Sequence, residues 1–143
     1  MGMSFDLTGN ALAQLQQLIN TSTNTKPVMN DIGAVLVSRI KHGFRTSTDP
    51  WGQGWKPLKR RKGQPLIDTG RLLASMTYNA SDSQLVVGTN VTYAPYQHFG
   101  FSNGRAVVPA RPFLPITPQR TVDLPANWQA DITDIITRHW RSA

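Results

Sequence analysis

Few side chains in this sequence have the means to make or break a bond. Ser75, His98 and Asp68 supply the residue types of a hydrolytic trio, in which a base takes the hydroxyl proton and a carboxylate orients the base. Ser75, however, lies in Leu72-Leu73-Ala74-Ser75-Met76, without the Gly-x-Ser-x-Gly elbow that presents a nucleophile. The three histidines, His42, His98 and His139, form no His-Glu-x-x-His pattern, and no EF-hand spacing of carboxylates occurs. Neither Gly-x-x-x-x-Gly-Lys nor Gly-x-Gly-x-x-Gly is present, so phosphate-cradling loops have no support. The expectation is a protein that is not an enzyme, with no catalytic residues, no cofactor and no metal. Each histidine is read as a surface or core residue.

Other residues have chemistry of a binding kind. Lys59, Arg60, Arg61 and Lys62 close a run that starts at Lys56, and such a concentration of cations suits a polyanion. They are candidate DNA-facing residues, although basic runs are most often simply solvated. Trp51 and Trp55 flank Gly52 and Gly54, and each carries a large apolar area with one N–H donor. They either pin a loop to its own core or face a partner. Arg111 stands between Pro109-Ala110 and Pro112 in a segment that cannot pair fully through its backbone. Its guanidinium fork can reach a carboxylate or carbonyl of a neighbouring element or of another subunit. With Arg71 and Phe113, these residues are the candidate interface set; Phe113 and Leu114 also suit a core.

These residues sit in a chain of 143 with a formal net charge of +7, from 15 Lys and Arg against 8 acidic residues. That length suits one domain, and Met1-Gly2 ahead of Met3 reads as an expression scar, so the domain is expected over 3–143. There is no cysteine, which excludes disulfides and thiol chemistry. No stretch approaches the roughly 20 apolar residues needed to cross a bilayer. No membrane partner is expected.

The elements that must position the candidates follow from periodicity. Leu7, Ala11, Leu12, Leu15, Leu18 and Ile19 recur at helical spacing, predicting an amphipathic helix over 7–19. A second helix is expected over 27–44, with Thr25 as cap, Pro27 in the first turn, and an apolar stripe of Val28, Ile32, Val35, Leu36, Ile40 and Phe44. Periodicity then disappears until Ile67, leaving a loop of about 20 residues, a length that usually has a binding role and here suits ordering on contact with a partner. Asp68-Thr69 is read as the cap of a short helix ending near Ser75. Residues 76–80 and 84–88 predict two antiparallel strands around Ser81-Asp82-Ser83. Residues 93–100 predict an aromatic-rich turn or short helix, 101–106 a second loop, and 107–115 a proline-broken edge segment. A last helix is expected over 126–140, through Trp128, Ile132, Ile135 and Ile136. The order predicts an α+β fold: N-terminal helices, a small antiparallel sheet with long ordered loops, and a C-terminal helix.

Five segments recur in the order of a known family. They are Trp55-Lys56-Pro57-Leu58; Leu66 to Met76 around Asp68-Thr69-Gly70-Arg71-Leu72; Val87-Gly88-Thr89-Asn90 with Tyr93-Ala94; Phe99-Gly100; and Pro109-Ala110-Arg111-Pro112-Phe113-Leu114. Together they cover about residues 44–117, and the set resembles the phage virion morphogenesis family, the tail-completion group of Mu-like phages and related prophages. One position departs from that pattern, since Gln97-His98 stands where the family order is reversed, so no role for His98 is carried over. The resemblance implies a structural subunit acting late in tail or neck assembly. It further implies a ring, with six copies to match the symmetry of tail tubes. Its partners would be other copies of itself and phage tail or neck proteins, with non-specific contact to DNA in transit. The place would be the host cytoplasm during assembly, then the virion. A basic, non-specific nucleic-acid-binding module is the alternative.

Overall fold

A computed structural model of the chain describes residues 2–7, 25–56, 70–102, 104–105 and 107–142. The expected helix over 7–19 lies outside the described residues apart from Leu7, a buried turn residue. So do the basic residues Lys59, Arg60, Arg61 and Lys62, and the cap assigned to Asp68-Thr69.

The fold is α+β. Strand β1 spans Met3–Asp6, where no element is expected from the sequence. Met3 and Phe5 are buried and Ser4 is exposed, the period-2 alternation of a strand with one wet face. Helix α1, Lys26–Thr46, agrees with the predicted second helix. Its buried residues Val28, Ile32, Leu36, Ile40 and Phe44 lie one helical turn apart, with Met29 and Gly33 broadening the stripe. A short helix α2, Arg71–Ala74, is followed by β2, Thr77–Ala80, and β3, Leu85–Thr89. Helix α3 spans Ala94–Phe99, and the last helix α4 spans Ala126–Ser142.

β3 is central in a three-stranded sheet of order β1-β3-β2, antiparallel throughout, with Phe5 and Tyr78 both opposite Val87. Gly88 is required there: a Cβ would lie 2.2 Å from the Met3 carbonyl oxygen, so glycine lets β1 cross closely. α1 packs on β2 and β3, and α4 packs on α1. Gly33 in α1 makes room for the Tyr78 ring, which a Cβ would meet at 2.5 Å.

Two expectations are corrected. Thr25 does not cap α1 through its own side chain; its hydroxyl donates to the Asp82 carbonyl, while the Asp82 carboxylate accepts the Lys26 N–H at 2.9 Å. The turn between β2 and β3 thus caps a helix 56 residues earlier in the chain. The loop expected over 101–106 is a hairpin, in which β4, Phe101–Ser102, pairs with β5, Val107–Val108. A turn through Gly104 at φ 87° returns the chain, a conformation glycine adopts without strain.

Candidate functional site

Two of the signature segments meet around Phe44. The Trp55 ring lies edge-on to Phe44 at 5.5 Å between centroids, and Phe113 lies at 5.5 Å from it. Trp55 is buried and its indole N–H donates to the Pro112 carbonyl at 2.7 Å. Arg111, buried between the same strips of chain, donates from Nε to the Lys56 carbonyl at 2.9 Å, and its backbone N–H donates to Gln97. Two crossed bonds, Trp55 to 112 and Arg111 to 56, therefore clasp the loop after α1 to the proline-rich segment. The prolines explain why side chains do this work: a strand without its N–H donors cannot be held by a ladder.

His98 completes the clasp from the other side. Its Nδ1 faces the Phe113 N–H at 3.2 Å and the Leu114 N–H at 3.5 Å, so Nδ1 is the acceptor. The proton is then on Nε2, which donates to the Ile116 carbonyl at 2.9 Å. Burial pushes the His98 pKa down to about 4, opposed by the bond to Ile116 and reinforced by the nearby Arg120 guanidinium. A neutral, single tautomer reads three backbone groups of one segment, with Phe99 and Phe113 edge-on to the ring.

This accounts for most of the candidate interface set. Trp55, Arg111 and Phe113 are buried within the chain itself, the intrachain one of the two places their residue types allow. The segment from Ser47 to Lys56 is likewise held against the rest of the chain. Thr48 bridges Gly54, the Trp55 N–H donates to Ser47, and the half-buried Trp51 donates its indole N–H to the Asp123 carbonyl at 3.0 Å. Arg71 stays exposed, with its guanidinium 5.8 Å from the centre of the Tyr93 ring. His98, expected as a surface or core histidine, is a core residue, and its bonds to the backbone at 113, 114 and 116 were not predicted. Its only signal was its place beside Phe99-Gly100.

The hydrolytic trio is not assembled among the described residues. Ser75 Oγ donates to the Leu72 carbonyl at 2.6 Å and meets Thr89 Oγ1 at 2.6 Å, while His98 is bonded to backbone groups elsewhere. No group of three or more His, Cys or acidic side chains among the described residues is placed to hold a metal ion. No helix of the described residues is long and apolar enough to cross a membrane.

Two features remain on the surface. Tyr96, Phe101 and Val107 are exposed large apolar residues, carried by α3 and the β4–β5 hairpin. Between α1 and α4 runs an open cleft of about 570 Å3, lined by Asp31, Ala34, Val35, Ile135, Arg138 and His139 among others.

The comparisons with known proteins point the same way. The sequence matches the phage virion morphogenesis family over residues 8–139. It is 37% identical over 113 residues to "Mu-like prophage FluMu G protein 2" of Haemophilus influenzae, covering 77% of this chain and 80% of that protein. No solved structure matches the chain significantly.

Proposed function

This chain belongs to the phage virion morphogenesis family, and from that premise we propose that it is a ring subunit that completes the tail, or joins tail to head, during virion assembly. The observation that carries the reading is the match over residues 8–139, which spans the clasp and both surface features. The geometry supports it, because the signature side chains Trp55, Arg111 and Phe113, together with His98, hold the chain's own segments in place rather than line a reactive cleft. A rigid subunit of this kind works by presenting surfaces. Head-to-tail contacts between copies close into a ring when the rotation per copy allows, and closure terminates growth, as a completion step requires. Six copies is the number the resemblance implies. Partners are other copies and tail or neck proteins, and the ring forms in the host cytoplasm and leaves with the virion.

Reconstruction of the virion without imposed symmetry tests this directly. A closed ring of this chain at the tail end or neck is expected. A single copy, or scattered copies without rotational symmetry, would show that the ring is not the working form. Particles made without the chain should accumulate as heads with incomplete or unattached tails, and normal tailed particles would remove the assembly role altogether.

The net charge of +7 favours a second, compatible reading, in which basic residues contact DNA non-specifically as it passes. Binding to arbitrary duplex DNA is then expected to be weak at physiological salt and to fall steeply as salt rises. Appreciable affinity at physiological salt would instead indicate a dedicated nucleic-acid-binding module.

A further inference from the structure

Helix α3 turns its aromatic side chains outward. Ala94 and His98 are its buried residues, and at about 100° per residue the position opposite both is Tyr96, which is 56% exposed. The half-buried Tyr93 and Phe99 lie about 60° to either side of it by the same geometry. Each ring on this face has a companion. Arg71 lies 5.8 Å from the centre of the Tyr93 ring, Phe101 meets Tyr96 edge-on at 5.6 Å, and Arg120 stacks over Phe99 at 4.4 Å. The result is an aromatic stripe with a guanidinium at each side.

Arg120 is held in that place at a conformational cost. Its φ of 66° is left-handed, where a residue other than glycine is strained. The turn around it is fixed by backbone bonds, since the Thr117 N–H donates to the Thr121 carbonyl and the Arg120 N–H to the Thr117 carbonyl, both at 2.8 Å. An exposed cation–π contact returns no more than such strain costs, so folding alone does not favour arginine over glycine at this position. The Arg120 side chain is exposed, and among the described residues it has no hydrogen-bond or ion-pair partner. Its donors are open to an acceptor from outside the chain. Residues 83–122, which include the stripe and Arg120, contain no Asp or Glu.

We propose that this face of α3 docks a short segment of a different virion protein, one in which carboxylates flank apolar side chains. The proposal rests on the assembly reading and names one of its contacts. Aromatic rings and arginines are the residue types that concentrate binding energy at protein interfaces, and a guanidinium can match a carboxylate while its plane stacks on a ring. α3 is six residues long, about 9 Å, a size that suits a short segment. A second copy is a poor source of the carboxylates. The chain has 8 acidic residues against 15 Lys and Arg, and three are engaged internally: Asp49 by the Trp51 and Gln53 N–H groups, Asp82 by the Lys26 N–H, and Asp131 by Arg39. Duplex DNA would engage the guanidinium groups through its phosphates but leave the rings unused, because its bases are already stacked on one another.

The absence of cysteine makes the test direct. Thr92→Cys, at an exposed position beside Tyr93, gives the full chain a single thiol for a benzophenone maleimide. The labelled chain is added to an extract of particles made without it, the tailed particles are purified and irradiated, and cross-linked peptides are identified by mass spectrometry. The expected product is a peptide of a different virion protein that carries Asp or Glu beside apolar residues. Linkage to a second copy, to DNA or to a peptide without carboxylates overturns the proposal, as does the lack of any product in particles that contain the labelled chain. Arg120→Gly gives an independent reading: the thermal midpoint should change little, while incorporation into particles should fall tenfold or more. Normal incorporation of Arg120→Gly would also overturn the proposal and leave the assembly reading standing. Normal tails on particles made without the chain would remove both.

Discussion

His98 must be neutral, since a proton on Nδ1 would face the Phe113 N–H that now donates to it. The folded chain thus binds this proton less readily than the unfolded chain, whose His98 titrates near 6.5, against about 4 when folded. Its contribution is complete above pH 6.5 and declines as pH falls toward 4, by about 3 kcal/mol at the limit. Urea titrations at pH 7.5 and 4.5 should show this loss, and His98→Gln should remove much of the slope between them. An unchanged pH dependence in His98→Gln would assign acid sensitivity to other groups. Arg111 makes a separate residue-scale prediction. Arg111→Ala leaves the Lys56 carbonyl without its partner inside the clasp, a cost of about 1–3 kcal/mol. Arg138→Ala, on the exposed side of α4, should change stability by less than about 0.5 kcal/mol. Denaturant midpoints of the two variants compare them, and equal losses would mean that the clasp contributes little.

Elements in this fold are fastened by groups distant in sequence. α1 begins where the β2–β3 turn supplies Asp82, so helix and hairpin stabilise each other. Removing the cap with Asp82→Ala should cost about 1 kcal/mol. Thr25 donates to the backbone carbonyl of Asp82, a bond that Asp82→Ala leaves in place but whose geometry depends on the turn staying docked on the helix end, so Asp82→Ala and Thr25→Ala should be non-additive, with a coupling of about 0.5 kcal/mol or more in a double-mutant cycle. Additive losses would show that turn and helix end are independent. Gly33 offers the opposite case. Alanine is the better helix former by about 1 kcal/mol, yet its methyl would press into the Tyr78 ring on β2. Overpacking of this kind costs about 1–3 kcal/mol, so Gly33→Ala should destabilise, and Gly33→Ala with Tyr78→Ala should recover part of the helical gain. A stabilising single substitution would mean that α1 and the sheet can separate freely.

Among the described residues of the whole molecule, the large apolar side chains are buried or half-buried except Tyr96, Phe101 and Val107. Substitutions at these exposed residues should therefore separate folding from assembly. Tyr96→Ala and Val107→Asp alter exposed side chains and should move stability by no more than about 0.5 kcal/mol. Both should nevertheless reduce incorporation into particles by about tenfold or more, the effect of losing roughly 1.4 kcal/mol or more at an interface. Thermal unfolding and quantification of the chain in purified virions measure the two effects. Normal incorporation of both variants would mean that the exposed apolar residues serve no contact.

Much of this protein was legible in its residues because local patterns suffice for long, regular elements. The stripe from Val28 to Phe44, the paired strands at 77–80 and 85–89, and the helix through Trp128, Ile132 and Ile136 follow from periodicity alone. The order of the signature segments was legible too, and with it the family. β1 was not, because four alternating residues acquire a strand's identity only from the neighbour they pair with, here β3. The hairpin at 101–108 was hidden for the same reason: two-residue strands carry no period. Whether Trp55, Arg111 and Phe113 face a partner or their own core was undecidable locally, since an aromatic ring or a guanidinium suits either place. Tertiary structure decided it by crossing two segments more than 50 residues apart, so that each carries the carbonyl the other needs. The same folding left Tyr96, Phe101 and Val107 outside, because the interior beneath the clasp was already filled by Phe44, Phe113 and Leu114.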